Sequence, residues 1–217
     1  MDDSNKVKAF FDRKARQFDS YYLDKTKSLS WKILDFLFRQ SIYKRLERTL
    51  HECRVGRSIK IVDVGCGSGR CAAKLARHST STVTGIDFSA EMIKIANEVA
   101  EEYRVQDRCH FILGDFREMA LNEKFDICVA LGFFDYTKEP REYLKKMKEI
   151  TTDKIIASFP VKWKLRNIVR IVRLRILNCP VYFYTVSKIK RILHDVSIHD
   201  YTIECIGRDY FVVARLS

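Results

Sequence analysis

The sequence predicts an α/β fold in which helices cover both faces of a mostly parallel β-sheet. From residue 59 onward, short β-branched and apolar runs alternate with helical segments, which is typical of parallel strands joined by right-handed crossovers. The apolar run Ile59–Val64 leads directly into glycines 65, 67 and 69 and then into the helix-forming segment Cys71–Arg77. Strand, glycine turn and helix together indicate the first crossover of a nucleotide-binding sheet.

Two helices are predicted before the first strand. Residues 4–24 carry an apolar stripe that includes Phe10 and Phe11. This helix either packs on the core or forms a lid whose aromatic residues, with Tyr21 near its end, close over a ligand. A second helix over residues 31–52 carries apolar residues at helical spacing. We therefore expect residues 1–55 to form a helical cap and residues 56–217 to form the sheet domain.

The remaining strands follow from their apolar runs and from the residues that end them. The strand Thr82–Phe88 ends in an acid, and Ser89 is placed to cap the helix that follows. Three further parallel strands are predicted at Cys109–Leu113, Phe125–Leu131 and Lys154–Phe159, and two runs at Ser197–Ile206 and Tyr210–Arg215 predict an antiparallel hairpin. The expected architecture is a Rossmann-like seven-stranded sheet with a C-terminal hairpin and an N-terminal helical cap.

The composition limits the classes of protein to which the chain can belong. The chain has 217 residues, 47% of them hydrophobic and 31% charged, as in ordinary globular proteins. No apolar run approaches the roughly 20 residues of a membrane-spanning helix, and the acidic N-terminus does not resemble a signal peptide, so a cytoplasmic location is expected. Seven scattered cysteines without a Cys-x-x-Cys pair predict neither disulfides nor a metal site.

The basic residues are concentrated late in the chain. The net charge is +12, and residues 141–191 hold fourteen Lys or Arg against three Asp or Glu. Such an excess is typical of a protein whose partner is anionic: a substrate, a membrane surface or nucleic acid.

Acids and aromatic residues follow several of the predicted strands. In this fold, ligands bind beyond the carboxyl ends of the strands, where Asp87-Phe88, Asp115-Phe116 and Leu131 would meet the glycine turn. A carboxylate at the position of Asp87 can accept hydrogen bonds from both ribose hydroxyls. Asp115 can accept from an adenine amine, and Phe88 and Phe116 can sandwich a base. Simpler alternatives are a helix cap for Asp87 and a turn residue for Asp115.

These motifs together resemble the four ordered motifs of class I S-adenosylmethionine-dependent methyltransferases. The matching stretches are Val62–Gly69, Gly85–Phe88, Gly114–Phe116 and Phe125–Val129. The resemblance implies that Asp63 and the glycines line the methionine part, that Asp87 holds the ribose, and that Asp115 with Phe116 holds the adenine. The cofactor set expected from it is Asp63, Gly65, Cys66, Gly67, Gly69, Asp87, Phe88, Gly114, Asp115, Phe116, Leu131 and Tyr21. Asp63 could instead be a buried acid satisfied by backbone amides, and Cys66 is expected to pack rather than to react.

The expected cofactor is S-adenosylmethionine, with S-adenosylhomocysteine as the product and no metal. A nicotinamide dehydrogenase of the same fold is disfavoured, because the turn reads Gly-x-Gly-x-Gly rather than Gly-x-Gly-x-x-Gly, and no Tyr-Lys or His pair for hydride transfer is visible. A module that binds the cofactor without turnover is the alternative from a different class.

The acceptor is expected to bind after the fourth strand. Phe133 and Phe134 are the predicted acceptor contacts, and Asp135 and Tyr136 are the predicted catalytic residues, Asp135 as a general base. Alternatively, Asp135 is a helix-capping or solvated acid. Methyl transfer by in-line displacement needs mainly positioning and exclusion of water.

The segment 161–177 has the pattern of a basic amphipathic helix, within a predicted insert at about 161–180. Lys162, Arg166, Arg170 and Arg173 share one stripe at helical spacing. The helix can contact an anionic membrane, cover the substrate pocket or have a solvated face. Covering the pocket is favoured, with Arg166 and Arg170 binding a small anionic acceptor, a layout similar to porphyrin and quinone methyltransferases.

Methylation of RNA or another nucleic acid is less expected, because no Asn/Asp-Pro-Pro-Tyr/Phe motif follows the fourth strand. The sequence does not identify the acceptor, the methylated atom or the oligomeric state.

Overall fold

The computed structural model describes residues 3–19, 29–54, 57–78, 80–162 and 179–216. Tyr21, Arg166, Arg170 and nearly all of the basic segment 161–177 therefore lie outside the described residues. The strands are β1 (Lys60–Val64), β2 (Thr82–Asp87), β3 (Cys109–Leu113), β4 (Phe125–Ala130), β5 (Thr151–Pro160), β6 (Asp200–Ile206) and β7 (Asp209–Arg215). The helices are α1 (Asp3–Asp19), α2 (Leu29–Glu52), α3 (Arg70–His78), α4 (Ala90–Glu102), α5 (Pro140–Ile150) and α6 (Val186–Asp195).

The seven strands form one sheet in the order β3-β2-β1-β4-β5-β7-β6. Strands β1 to β5 pair in parallel, whereas β7 is antiparallel to both β5 and β6. The predicted mixed sheet with its C-terminal hairpin is confirmed. The direction of strand order reverses between β1 and β4, and a crevice opens at the carboxyl ends of strands at such a point.

Two apolar clusters cover the two faces of the sheet. One joins residues of α1, α3 and α4 to the sheet, and the other joins residues of α5 and α6 to its opposite face. Four of the five β1 residues are buried, which explains why three of them are apolar. The exceptions to the apolar run are the exposed Lys60 and the buried Asp63. The predicted helices on both faces are confirmed.

Candidate active site

The glycine turn after β1 needs glycine for two separate reasons. Gly65, Gly67 and Gly69 have φ values of +69°, +52° and +69°, a region that other residues adopt only with strain. A Cβ atom on Gly65 would lie 2.5 Å from Cδ2 of Phe133, and one on Gly69 would lie 2.8 Å from Cζ of Phe111. The turn is therefore a backbone cradle into which aromatic side chains pack closely.

Asp63 is a buried acid beneath this turn. Its side chain is 2% exposed, and within the described part of the chain its Oδ2 atom has no hydrogen-bond partner. Burial, and then repulsion by Asp87, raises the pKa of Asp63 to about 7. A buried carboxyl oxygen without a partner is costly, and a cationic ligand in the crevice would relieve that cost. Asp63 therefore fits a ligand that carries an ammonium group.

Asp87 joins the glycine turn to the start of α4. Its Oδ2 atom accepts from the backbone N–H of Gly67 at 2.9 Å, and its Oδ1 atom accepts from that of Ser89 at 3.0 Å. Burial raises the pKa of Asp87 to about 6, although these backbone bonds oppose the shift. Each carboxylate oxygen has a second lone pair, so Asp87 can hold the turn and still accept from ribose hydroxyls.

The residues after β3 differ from the predicted base sandwich. Asp115 is partly exposed, and its Oδ1 atom accepts from the backbone N–H of Arg117 at 2.9 Å, as in a turn. Phe116 is 3% exposed and its ring stacks with Tyr143 of α5, with the ring centroids 6.4 Å apart. Phe88 packs against the cluster on the other face of the sheet. The two rings therefore do not form a sandwich, because α5 draws Phe116 into the core.

The loop after β4 contains one open position. Gly132 has φ of +73°, and among the described residues beyond its two chain neighbours no atom lies within 4 Å of a Cβ built on it. Its neighbour Leu131 is partly buried, and the ring of Phe133 lies against Gly65. Phe134 has no exposed surface and stacks on Phe159 with centroids 4.5 Å apart. Phe134 is therefore a core residue, which makes its prediction as an acceptor contact wrong.

Asp135 and Tyr136 occupy protected positions. Asp135 is 3% exposed, and the N-cap position of α5 is Glu139, so Asp135 is neither a solvated nor a capping acid. Its backbone carbonyl accepts from the N–H of Tyr182 at 2.8 Å. Tyr136 packs edge-to-face on Phe11 of α1, at 5.1 Å between centroids. A catalytic role for either residue stays a prediction.

Helix α1 reaches the glycine turn through a buried ion pair that sequence reasoning missed. Asp19 accepts from Arg70 Nε at 2.6 Å and from Nη2 at 2.9 Å, and Ser68 donates to the same carboxylate. Burial raises the pKa of Asp19, but the bonds from Arg70 and Ser68 outweigh it, and the pKa lies below its ordinary value. Arg70 directly follows the glycine turn, but the sequence contains no signal that pairs it with an acid 51 residues away.

The same helix also touches the segments that follow β2 and β4. Ser89, just after β2, donates from its Oγ atom to Oδ1 of Asp12 at 2.6 Å. Phe11 contacts Tyr136, just after β4. With Asp19 on the glycine turn, α1 contacts the segments beyond three strands that border the crevice. The apolar stripe of the same helix, including Phe10 and Phe11, lies in the core cluster, which confirms that α1 packs on the core. A role as a lid stays a prediction.

A second missed network lies behind Gly132. Ser158 of β5 accepts from the backbone N–H of Gly132 at 2.8 Å and from Nη1 of Arg45 at 2.9 Å. Arg45, on α2, also pairs with Asp209 at 3.2 Å. All three side chains are buried. Arg45 is one of many basic residues on α2, and the sequence alone does not distinguish it from the exposed ones.

Among the described residues, no group of three or more His, Cys, Asp or Glu side chains is arranged to hold a metal ion. Within the same ranges, no helix is long and apolar enough to cross a membrane. The expectations of no metal and of a cytoplasmic location stay predictions.

Comparisons with known proteins match this geometry. A family described as a methyltransferase domain matches residues 56–165, half of the chain. Sterol 24-C-methyltransferase of Debaryomyces hansenii is 30% identical over 95 residues, which cover 43% of this chain and 25% of the relative. Cyclopropane-fatty-acyl-phospholipid synthase of Escherichia coli K12 is 30% identical over 113 residues, 52% of this chain and 28% of the relative. The chain thus spans about a quarter of the length of these relatives.

Among solved structures, magnesium protoporphyrin IX methyltransferase of Synechocystis PCC 6803 with bound S-adenosylhomocysteine is similar over the full length. Its TM-score is 0.78 at 19% identity, with 100% of both chains covered. The likeness confirms the fold. With the family match, it identifies the chain as a member of this methyltransferase-domain family, a class I S-adenosylmethionine-dependent methyltransferase.

Proposed function

We propose that this methyltransferase transfers the methyl group of S-adenosylmethionine to an oxygen or nitrogen atom of a small anionic acceptor. The observation that carries the cofactor assignment is the Oδ2 atom of buried Asp63 beneath the glycine turn, which has no hydrogen-bond partner among the described residues. The basic excess between residues 141 and 191 supports an anionic acceptor. Two of the matched relatives are named for sterol and fatty-acyl chemistry and one structural neighbour for a porphyrin, which supports a small molecule with a large apolar body.

Each part of the crevice has a task in this proposal. Asp63 offers a negative charge to the ammonium group of the methionine part, and Asp87 offers its remaining lone pairs to the ribose hydroxyls. Asp115 accepts from the adenine amine. Gly65, Gly67 and Gly69 let the backbone approach the ligand, with Cys66 and Gly114 as neighbours in the cradle, and Phe88 and Leu131 supply apolar contact. When bound, the cofactor supplies a methyl group already activated by the positive charge on sulfur.

The chain's main catalytic tasks are then positioning and exclusion of water. Holding the acceptor in line with the methyl group can supply on the order of 7–11 kcal/mol. Helix α1 contacts the segments after β1, β2 and β4, and closure of this kind strengthens electrostatic interactions inside the site. Asp135, in the loop after β4, is the candidate to take a proton from the acceptor. Segment 161–177 is the candidate cover for the acceptor, with Arg166 and Arg170 at its anionic group, or the contact with an anionic membrane.

The acceptor can be found by isotope transfer. The full-length protein is incubated with CD₃-labelled S-adenosylmethionine and a small-molecule extract, and mass spectrometry searches for products that gain one labelled methyl group. We expect labelled small acids and release of S-adenosylhomocysteine. Labelled RNA would favour the nucleic-acid alternative, and cofactor binding by calorimetry without any labelled product would favour a non-catalytic binding module. Either of these outcomes would contradict the proposal.

A further inference from the structure

We propose that Arg45 of α2, acting through Ser158, is a positioning residue that sets the backbone of Gly132 at the site of methyl transfer. The inference rests on the proposed function, since it assumes that the crevice holds S-adenosylmethionine. Helix α2 lies outside the glycine-turn motifs, and its sequence predicted only a part of the cap.

The hydrogen bonds form one continuous path from α2 to the loop after β4. One nitrogen of Arg45, Nη1, lies 2.9 Å from Ser158 Oγ and 3.2 Å from Asp209 Oδ2. That nitrogen donates a hydrogen bond to Ser158 and forms an ion pair with Asp209. Ser158 Oγ uses its second lone pair for the N–H of Gly132 at 2.8 Å. Asp209 thus fixes Arg45, Arg45 fixes Ser158, and Ser158 fixes Gly132.

Burial makes this path specific in geometry. Ser158 has no exposed surface, and Asp209 and Arg45 are 2% and 9% exposed. In such surroundings, water cannot replace a lost partner, and hydrogen bonds strongly favour one arrangement. A change at Arg45 or Ser158 is therefore transmitted to the N–H of Gly132 rather than absorbed by solvent.

Gly132 is the position at which this control matters for the reaction. It lies just beyond the end of β4, beside the point where strand order reverses, and within the described ranges no side chain comes within 4 Å of a Cβ built on it. Its backbone φ of +73° also directs the next residue, Phe133, whose ring lies against Gly65. A shift of Gly132 would therefore move both the open space and the aromatic wall of the glycine turn.

The affinities for two cofactor analogues distinguish a positioning role of this network from a purely stabilising one. S-Adenosylhomocysteine lacks the methyl group, whereas sinefungin carries an amine in its place. The candidate contacts to the rest of the cofactor, Asp63 and Asp87, belong to β1 and β2. Loss of positioning at Gly132 therefore weakens sinefungin more than S-adenosylhomocysteine, whereas general destabilisation weakens both by the same factor.

The test compares Ser158→Ala and Arg45→Met with Arg48→Met in the full-length protein. Arg48 is a matched control on the same helix, because its side chain is 34% exposed and it pairs with Glu52 and the exposed Glu204 rather than with Ser158. Calorimetry measures the affinity for both analogues, and a ¹H–¹⁵N spectrum follows the amide of Gly132. We expect Ser158→Ala and Arg45→Met to weaken sinefungin about tenfold, because its amine takes the methyl position beside Gly132, and S-adenosylhomocysteine by less than about threefold. The Gly132 amide shifts in both variants and stays in place in Arg48→Met.

Equal losses for the two analogues, or an unmoved Gly132 amide in Ser158→Ala, would overturn the inference. If Arg45→Met does not fold, Ser158→Ala and the hydroxyl-retaining Ser158→Thr decide the question, with the Gly132 amide restored only in the latter. Failure of the unsubstituted protein to bind S-adenosylhomocysteine would contradict the proposed function, and this inference with it. Binding with an unchanged ratio contradicts the inference alone.

Discussion

Replacing Asp63 with asparagine removes a buried charge while keeping the shape of the side chain. The pKa of Asp63 is raised from 3.8 to about 7. Since one pKa unit corresponds to about 1.4 kcal/mol, the charged form costs the ligand-free protein up to about 4 kcal/mol. We expect Asp63→Asn to be more stable than the unsubstituted protein at pH 8 and to bind S-adenosylmethionine about 10- to 150-fold more weakly, the equivalent of a lost charged hydrogen bond.

The pH dependence follows from which state holds the proton. Between about pH 4 and pH 7, the folded protein keeps the proton on Asp63 while the unfolded chain has released it. The unfolded state thus binds fewer protons, and stability falls as pH rises through this window. Below it, both states are protonated and the cost is absent; above pH 7, the full cost is present. The advantage of Asp63→Asn should therefore be small at pH 4 and largest at pH 8.

Urea unfolding of the ligand-free protein at pH 5 and pH 8, with calorimetry of cofactor binding, measures both effects. Asp126→Asn is a control for which the expected change in stability at pH 8 has the opposite sign. Although burial raises the pKa of Asp126, bonds from the Lys60 backbone N–H and Arg57 outweigh it and leave the pKa below its ordinary value, so this variant should lose stability at pH 8. Equal effects of Asp63→Asn on stability at the two pH values would refute the reasoning, as would unchanged cofactor affinity.

Three other predictions concern the turn, the lid and the core. Gly69→Ala should destabilise the protein more than Gly132→Ala in thermal unfolding, since both incur about 1–2 kcal/mol of strain at positive φ but only Gly69 lacks room for a methyl group. Asp19→Asn removes the buried acid that pairs with Arg70 at 2.6 Å and leaves the exposed Glu102, at 3.8 Å, as its charged partner. We therefore expect a loss of up to about 3–5 kcal/mol in urea unfolding and faster release of S-adenosylhomocysteine in stopped flow; unchanged release would argue against the predicted lid. Phe134→Ala should cost about 3–5 kcal/mol, as for a core phenylalanine; a loss of acceptor binding without loss of stability would restore its predicted role.

The sheet and the glycine turn could be predicted because their signals are local. An apolar run followed at once by glycines has few other solutions, and Asp87 and Asp115 follow from their places at strand ends. Phe133 and Phe134 show where this reasoning fails. Adjacent loop residues have no periodicity, and the ring that enters the core is selected by Phe159, 25 residues later in the chain. The predicted base sandwich of Phe88 and Phe116 failed for the same reason, since the ring that stacks with Phe116 belongs to Tyr143 of α5.

The two N-terminal helices are therefore more than a cover added to a complete site. Helix α1 supplies the acid that neutralises Arg70 beside the glycine turn, and α2 supplies the arginine that holds Ser158 against Gly132. Both bonds involve buried charges, and a buried charge that loses its partner is costly. Under the proposed function, the methyl-donor side and the methyl-transfer side of the crevice would each depend on one of these helices. The predicted boundary near residue 55 thus separates sequence motifs, whereas the contacts that shape the crevice cross it.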